Sequence, residues 1–431
     1  MKLLAKVRFG AAVLGTVLLS AYAVGSFDWC RRSPPQPPKL ERSEEAEGTL
    51  LAGAAEVELQ PPYPVVKAGY APPRPEVTAA AHPLRARALV LQVGGLRVGI
   101  ASLDVLLIPD SLTSEVVRGL QDLGFAQLWI SGTHTHSSLG GFDPRPISEM
   151  AGMGRYQQAV EQSVVHAAVS ALRAAAAAMV PAEMQAGEGR FPNLVMTRSE
   201  GAEPDGRLTR LSLTSGGAPF AQVVIFAAHP TLLPRHFDAL DPDFPGLFSD
   251  AERRAGRGIT LFLQGAVGNV SAADAFHREE AFANELSKAN SQVTLAPLGP
   301  ISLELRRVTT GLPNPDASRS LPRGLHGLGR NLLCRSAPVR VEISELKVAS
   351  LRLLFVPGEP TVGSEQRLLQ ASGSERTIAL TNGYLGYIET PDLVLAEKGE
   401  SRRQYFGPEL LDILAKAGRL AGHSAELTKG K

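Results

Sequence analysis

Only two cysteines, Cys30 and Cys334, occur in 431 residues, which excludes a disulfide-built scaffold and a cysteine-rich zinc module. Any bound metal must then rely on imidazole, carboxylate or phenolate ligands. Excess charge is lacking as well, since 44 Lys+Arg face 43 Asp+Glu for a formal net charge of +1. There is no basic field and no run of Lys or Arg interleaved with aromatics, so no nucleic-acid partner is expected. What is present is globular. The chain is 44% apolar and 20% charged, enough for about two domains or one large α/β unit, and not the composition of a disordered chain.

One uncharged run is long. It extends from Phe9 to Phe27 behind Lys2, Lys6 and Arg8, and Ala21-Tyr22-Ala23 offers a small-x-small cleavage pattern. The run also approaches the window of about 17 to 25 residues that spans a bilayer. Residues 1–27 therefore read as a signal peptide or membrane anchor, and the expected location is periplasmic or extracellular, free or attached to the membrane. Residues 28–48, with Pro34, Pro35, Pro37, Pro38 and many charges, read as a tether. Cys30 lies in it, so no stabilising bridge to Cys334 is expected. Residues 49–431 form the folded part.

Strand and helix signals alternate from there. Arg87–Val93 and Leu96–Leu103 are β-rich runs around Gly94-Gly95, which suits a hairpin. Asp110 is placed to cap a helix from about Ser111 to Leu123 that Gly124 stops. Leu128–Ser131, Gln222–Ala227 and Ile259–Leu263 read as buried strands, Glu342–Phe355 as further strands, and Arg155–Met179 as a long helix. Helix is also expected from Ala251 onward, and Pro300–Pro338 is a looser region. No internal repeat is visible. The pattern predicts an α/β fold of mixed β-sheets flanked by helices in a single large domain.

Polar sequence follows several apolar strands at once. His134 and His136 follow Leu128–Ser131, His229 follows Val223–Ala228, Gln264–Ser271 follows Leu261–Leu263, and Glu359 follows Leu353–Val356. Strand ends are where open α/β sheets carry their sites. In an extended segment His134 and His136 would face the same way, and a carboxylate this close to a buried strand needs a partner to stay charged. Two or more imidazoles and an acid at successive strand ends suit a catalytic zinc set with an open position. His166, in a long Ala-rich helix, reads as a packing or surface residue; His82, His236, His277, His326 and His423 lack a partner pattern, although His236 follows His229 closely enough to support it.

Thr133-His134-Thr135-His136-Ser137 with Gly140-Gly141, Phe226-Ala227-Ala228-His229-Pro230-Thr231, Asp243-Phe244-Pro245-Gly246, Gln264–Ser271, Pro357-Gly358-Glu359-Pro360-Thr361 and Tyr384-Leu385-Gly386-Tyr387 occur in this order. Together they resemble the catalytic domain of the neutral/alkaline, non-lysosomal ceramidases, over about Thr49 to Pro408. The resemblance implies zinc-dependent cleavage of the amide of an N-acylsphingosine or a similar lipid-like N-acyl compound. It also implies His134, His229, Glu359 and Tyr387 as zinc ligands, and His136 as proton donor or acceptor. Arg198 and Tyr384 fall in the active site, Ser271 matches a serine proposed as nucleophile, and Asp104 is expected to support a ligating histidine.

The sequence departs from that pattern in places. Ser138-Leu139 replaces a Gly-Pro, Asn269 replaces an aspartate, Gly399 stands about where the family has a second tyrosine, and no room remains for the family's carboxyl-terminal β-sandwich. These changes touch substrate choice more than the metal set. Two other readings follow. One is an exported, non-catalytic binding protein of the same fold. The other is a metallohydrolase of another amide or ester class, such as the amidohydrolase barrels, which place His-x-His after the first strand.

Overall fold

The structure, a computed structural model, describes residues 13–20, 22–23, 30–71, 74–145, 148–321, 326–334 and 336–422. Strand β1 (Lys39–Glu47) comes first. Strands β2 (Leu50–Glu58), β3 (Arg85–Val93) and β4 (Leu96–Leu103) then run antiparallel, helix α1 (Asp110–Gly119) crosses, and β5 (Gln127–Gly132) returns parallel to β4. Helix α2 (Gln158–Ala177) covers the outer face, burying Val160, Val164, Ala168 and Leu172.

That order recurs twice. The second copy is β6 (Glu183–Arg190), β7 (Arg207–Ser215), β8 (Ala218–Phe226), α3 (Asp243–Arg254), β9 (Ile259–Gln264) and α4 (Glu279–Gln292). The third is β10 (Ser302–Gly311), β11 (Arg340–Val348), β12 (Leu351–Phe355), α5 (Val362–Ser372), β13 (Arg376–Ile378) and α6 (Leu410–Gly422). Each gives a mixed sheet with one parallel pair at its edge: β4 with β5, β8 with β9, and β12 with β13. The repeat is one of architecture. What recurs is the spacing of buried positions, which many residues satisfy, so the sequence shows no repeat.

The inner faces of the three sheets share one core. Leu91, Ile100 and Trp129 come from the first, Leu213, Val223 and Leu263 from the second, and Leu305, Leu353 and Phe355 from the third. Trp129 stacks on Phe355 with ring centroids 4.3 Å apart, and its Nε1 donates to Ser344 Oγ at 2.8 Å. A buried indole is thereby satisfied. Separate apolar clusters seat the helices of each copy on the outer faces.

Several expectations change. Residues 28–48 do not form a free tether, because β1 pairs antiparallel with β10 at the edge of the third sheet. Its residues alternate exposed and half-buried, and its charges suit an edge strand. A period-two pattern was hidden in charge-rich composition. Cys30 is bonded to Cys334, contrary to the expectation, because its segment packs back on the fold. The loose region from Pro300 begins with β10, and the helix placed from Ala251 onward starts earlier, at Asp243, and ends at Arg254. Each sheet is open, with distinct edge strands, so the architecture is not an amidohydrolase barrel. Most of the expected leader lies outside the described residues, as does His423. No helix among the described residues is long and apolar enough to cross a membrane.

Candidate active site

Each sheet sends one side chain to a common point. His134 follows β5, His229 follows β8 and Glu359 follows β12, the outer members of their parallel pairs or the strands beside them. Nε2 of His134 and Nε2 of His229 each lie 3.2 Å from Glu359 Oε2. His136 joins them, with its ring centroid 5.0 Å from that of His134 and 5.9 Å from that of His229. Ligand atoms of the three imidazoles all lie within 4.8 Å of one another.

Backbone carbonyls aim the rings. Nδ1 of His134 donates to Leu106 O at 2.7 Å, Nδ1 of His136 to Gly69 O at 2.8 Å, and Nδ1 of His229 to Val270 O at 3.0 Å. Each bond sets the tautomer that leaves the Nε2 lone pair facing inward. His134 itself is left-handed, with φ 72°. The His-x-His pair therefore converges through a strained turn and not through the same-side geometry of an extended strand. Such a conformation costs about 1–3 kcal/mol and persists where neighbours fix it; here His134 N–H bonds Val105 O and Thr133 N–H bonds Leu103 O. Gly69 has φ 110°, and a Cβ there would sit 2.8 Å from His136 Nδ1. Arg74 donates to the His136 carbonyl.

The polar surround is consistent with anionic Glu359 and with neutral His136 and His229. Burial alone would raise the Glu359 carboxyl, but His134 and His229 beside it hold it well below the usual carboxylate range. Burial, together with the Arg198 charge, lowers His229 to about 3, and burial beside His134 lowers His136 well below its ordinary value. Tyr384 donates to Glu359 Oε1 at 2.6 Å. Tyr387 donates to His229 Nε2 at 3.1 Å and accepts from Arg198 at 2.6 Å. Burial and the Glu359 charge push both phenols well above their ordinary value.

Nε2 of His134, Nε2 of His136 and Oε2 of Glu359 are buried with no hydrogen-bond partner among the described residues. Buried polar atoms are rarely left so. A cluster of inward lone pairs with a carboxylate is a donor set that fits a zinc-like cation. The group sits at the wall of a cavity of about 430 Å³ that also exposes Leu106, Met153, Leu333, Leu385 and Phe406.

His134, His136, His229, Glu359, Tyr384, Tyr387 and Arg198 are thus brought together as the sequence suggested. Ser271 is placed differently: it pairs with Met196 and bridges His229 through the backbone, and it is not among the described residues that line the cavity. That position supports the His229 loop through the backbone. Asp104 also departs from expectation. It binds Arg87 at 3.0 Å and the Arg85 N–H at 2.8 Å, while the imidazoles of His134, His136 and His229 have carbonyl partners. His82, expected to lack a partner, binds Asp241 at 2.8 Å.

The sequence departures have local causes. Asn269 donates to Ala202 O at 3.1 Å and accepts from Val362 N–H at 2.9 Å, a pairing that an aspartate could make only in part. Gly399 has φ 56° and is packed against Glu389, so a tyrosine does not fit this position. Tyr405, Tyr70, Arg145 and Arg403 line the cavity and were not singled out by sequence. Gly69-Tyr70 held the one usable signal, a glycine–aromatic step between apolar and proline-rich segments.

Residues 60–204 match the sequence pattern of the family described as neutral/alkaline non-lysosomal ceramidase, N-terminal. Over that stretch, about a third of its length, the chain is similar to that family. The whole fold is also similar to the crystal structure of neutral ceramidase from Pseudomonas aeruginosa, with TM-score 0.71 and 18% identity over 86% of this chain and 73% of that one. A ceramidase complexed with C2 is similar with TM-score 0.72 and 16% identity, over 86% of this chain and 74% of the other. No curated protein matches by sequence. At such identities the structural likeness establishes the ceramidase fold, with its mixed sheets and flanking helices.

Proposed function

We propose that the chain is a zinc-dependent hydrolase that cleaves the amide bond of ceramide or a related N-acyl lipid. The reading rests on the convergence of inward Nε2 atoms on the Glu359 carboxylate beside a largely apolar cavity. His134, His229 and Glu359 hold the ion, with Tyr387 as a fourth ligand. Zinc supplies a Lewis acid and makes water acidic, to a pKa of about 7. The protein does the rest. Tyr384 fixes the orientation of Glu359, and Arg198 stabilises negative charge on the Tyr387 oxygen. His136 faces the same centre and holds a proton for the departing amine. Arg198 is also placed to donate to developing oxyanion charge, a role Tyr384 takes only by giving up its bond to Glu359. Apolar walls exclude water around the scissile bond.

A lipid substrate agrees with an exported chain held at a membrane by its N-terminal segment. A disulfide between Cys30 and Cys334 supports the export half of that reading, since such bonds persist in oxidising compartments. The test is metal analysis of the purified chain with an amide-hydrolysis screen over ceramides, N-acyl amino acids and N-acyl ethanolamines. Stoichiometric zinc, with turnover abolished in His134→Ala, is the expected result. Turnover unchanged in His229→Ala removes the mechanism, and metal without turnover on any amide or ester favours a binding protein.

A further inference from the structure

The cavity has two unlike sets of lining residues. Besides the imidazoles, its wall includes a segment between β10 and β11, with Ala317, Leu321, Leu333, Ala337 and Pro338. Among the described residues this wall has little regular structure: a short turn at Ser318–Ser320, a short helix at His326–Leu332, and loop. Few ladder hydrogen bonds hold it. A wall with that composition contacts hydrocarbon well, yet its shape depends on whatever fixes the loop.

What fixes it is the start of the described fold. Cys30 is bonded to Cys334, next to Leu333. Arg32 spreads its guanidinium over three carbonyls of the same loop: Nε donates to Cys334 O at 3.1 Å, Nη1 to Pro338 O at 2.9 Å and Nη2 to Ala337 O at 2.7 Å. A planar fork suits this better than a point charge. Asn314 donates to Cys30 O at 3.2 Å, and Gly311 N–H bonds Gln36 O at 2.9 Å. Residues 30–36 thus form a strap that is covalently and polarly bound to the wall, then passes into β1.

We propose that this strap sets the hydrocarbon subsite: the acyl or alkyl chain of the substrate lies along Leu321, Leu333, Ala337 and Pro338, and Arg32 with the Cys30–Cys334 bond determines how well a long chain binds. Arg32 is a positioning residue, acting through the loop carbonyls. The inference rests on the lipid-hydrolase reading for the identity of the chain, but not for the existence of the subsite. None of the strap's hydrogen bonds named above involves the imidazole group. Loosening the strap therefore changes chain binding without changing the metal set.

The experiment uses the full chain and a long-chain fluorescent fatty acid, compared with a short-chain analogue, followed by titration before reduction, after reduction and after re-oxidation. Reduction weakens the long-chain probe by about tenfold, roughly the contact of two buried methylenes, leaves the short-chain probe unchanged, and is reversed by re-oxidation. Arg32→Ala gives the same selective loss, Arg32→Lys a partial one, and hydrogen exchange of Leu333–Pro338 rises in step. Equal long-chain affinity in the oxidised, reduced and Arg32→Ala proteins overturns the proposal, as does a loss of equal size for both probes. The lipid-hydrolase reading fails separately, by absence of amide turnover while probe binding and its redox response persist.

Discussion

At the scale of single residues, the site depends on groups that aim other groups. Removing the Tyr384 hydroxyl in Tyr384→Phe leaves Glu359 without the bond at 2.6 Å. Zinc content should hold while turnover falls about 10- to 100-fold, the usual cost of losing a partner that orients a ligand; an unchanged rate would show that Glu359 needs no such support. Gly69→Ala tests His136 in the same way. An added Cβ collides with the His136 ring, so turnover should collapse while metal analysis still finds the ion; metal loss would instead make His136 a ligand. Legibility was high here for residues that carry chemistry. His134, His229 and Glu359 were recognisable by type and by the polar segments after strands, and Tyr387 only through the family resemblance. Gly69 and Arg74 were not, because their contribution is a carbonyl and a hydrogen bond onto a backbone, which no side-chain motif records.

Elements behaved less uniformly. Hairpin strands β3 and β4 and the buried strands β5, β8 and β9 fell where alternation and apolar runs put them. Helix α1 starts at Asp110 itself, behind Pro109, so the aspartate lies in the first turn and caps nothing. Helix α3 was half-missed because Asp243 opens it with φ 54°, a conformation no propensity scale expects. That aspartate has a measurable consequence. Burial pushes its carboxyl up to about 7 from 3.8. The native state then keeps a proton that the unfolded chain releases between about pH 4 and pH 7, so stability contributed by this group falls as pH rises through that window and is flat above it. Urea melts across the range should show this slope, flattened in Asp243→Asn. Packing of β2 under α2 makes another test. A Cβ on Gly53 would lie 2.2 Å from Ala175 O, so Gly53→Ala should destabilise by about 1–3 kcal/mol. A urea midpoint equal to that of the parent protein would show that the helix can shift.

For the whole molecule, the strap matters to stability as well as to the cavity. Replacing both cysteines in Cys30→Ser with Cys334→Ser removes a link between residues 304 positions apart. Loss of a native bridge typically costs about 2–5 kcal/mol, so the thermal midpoint should drop, and a midpoint equal to the parent's would assign the bond no stabilising part. This was the largest failure of the sequence reading. Proline and charge between Arg31 and Gly48 resembled a spacer, and only the partner strand β10, distant in sequence, turns it into an edge strand. The threefold recurrence of sheet and helices was equally hidden, since it repeats burial and not residues.

Because each repeat lends one member of the converging set, the centre belongs to none of them alone. Excising any one repeat, or dividing the chain between two of them, splits the set even where every side chain survives. On the proposed function, ion retention doubles as an assembly gauge: a preparation that holds a metal has all three sheets docked, and one that has lost it through partial unfolding need not have altered a single ligand.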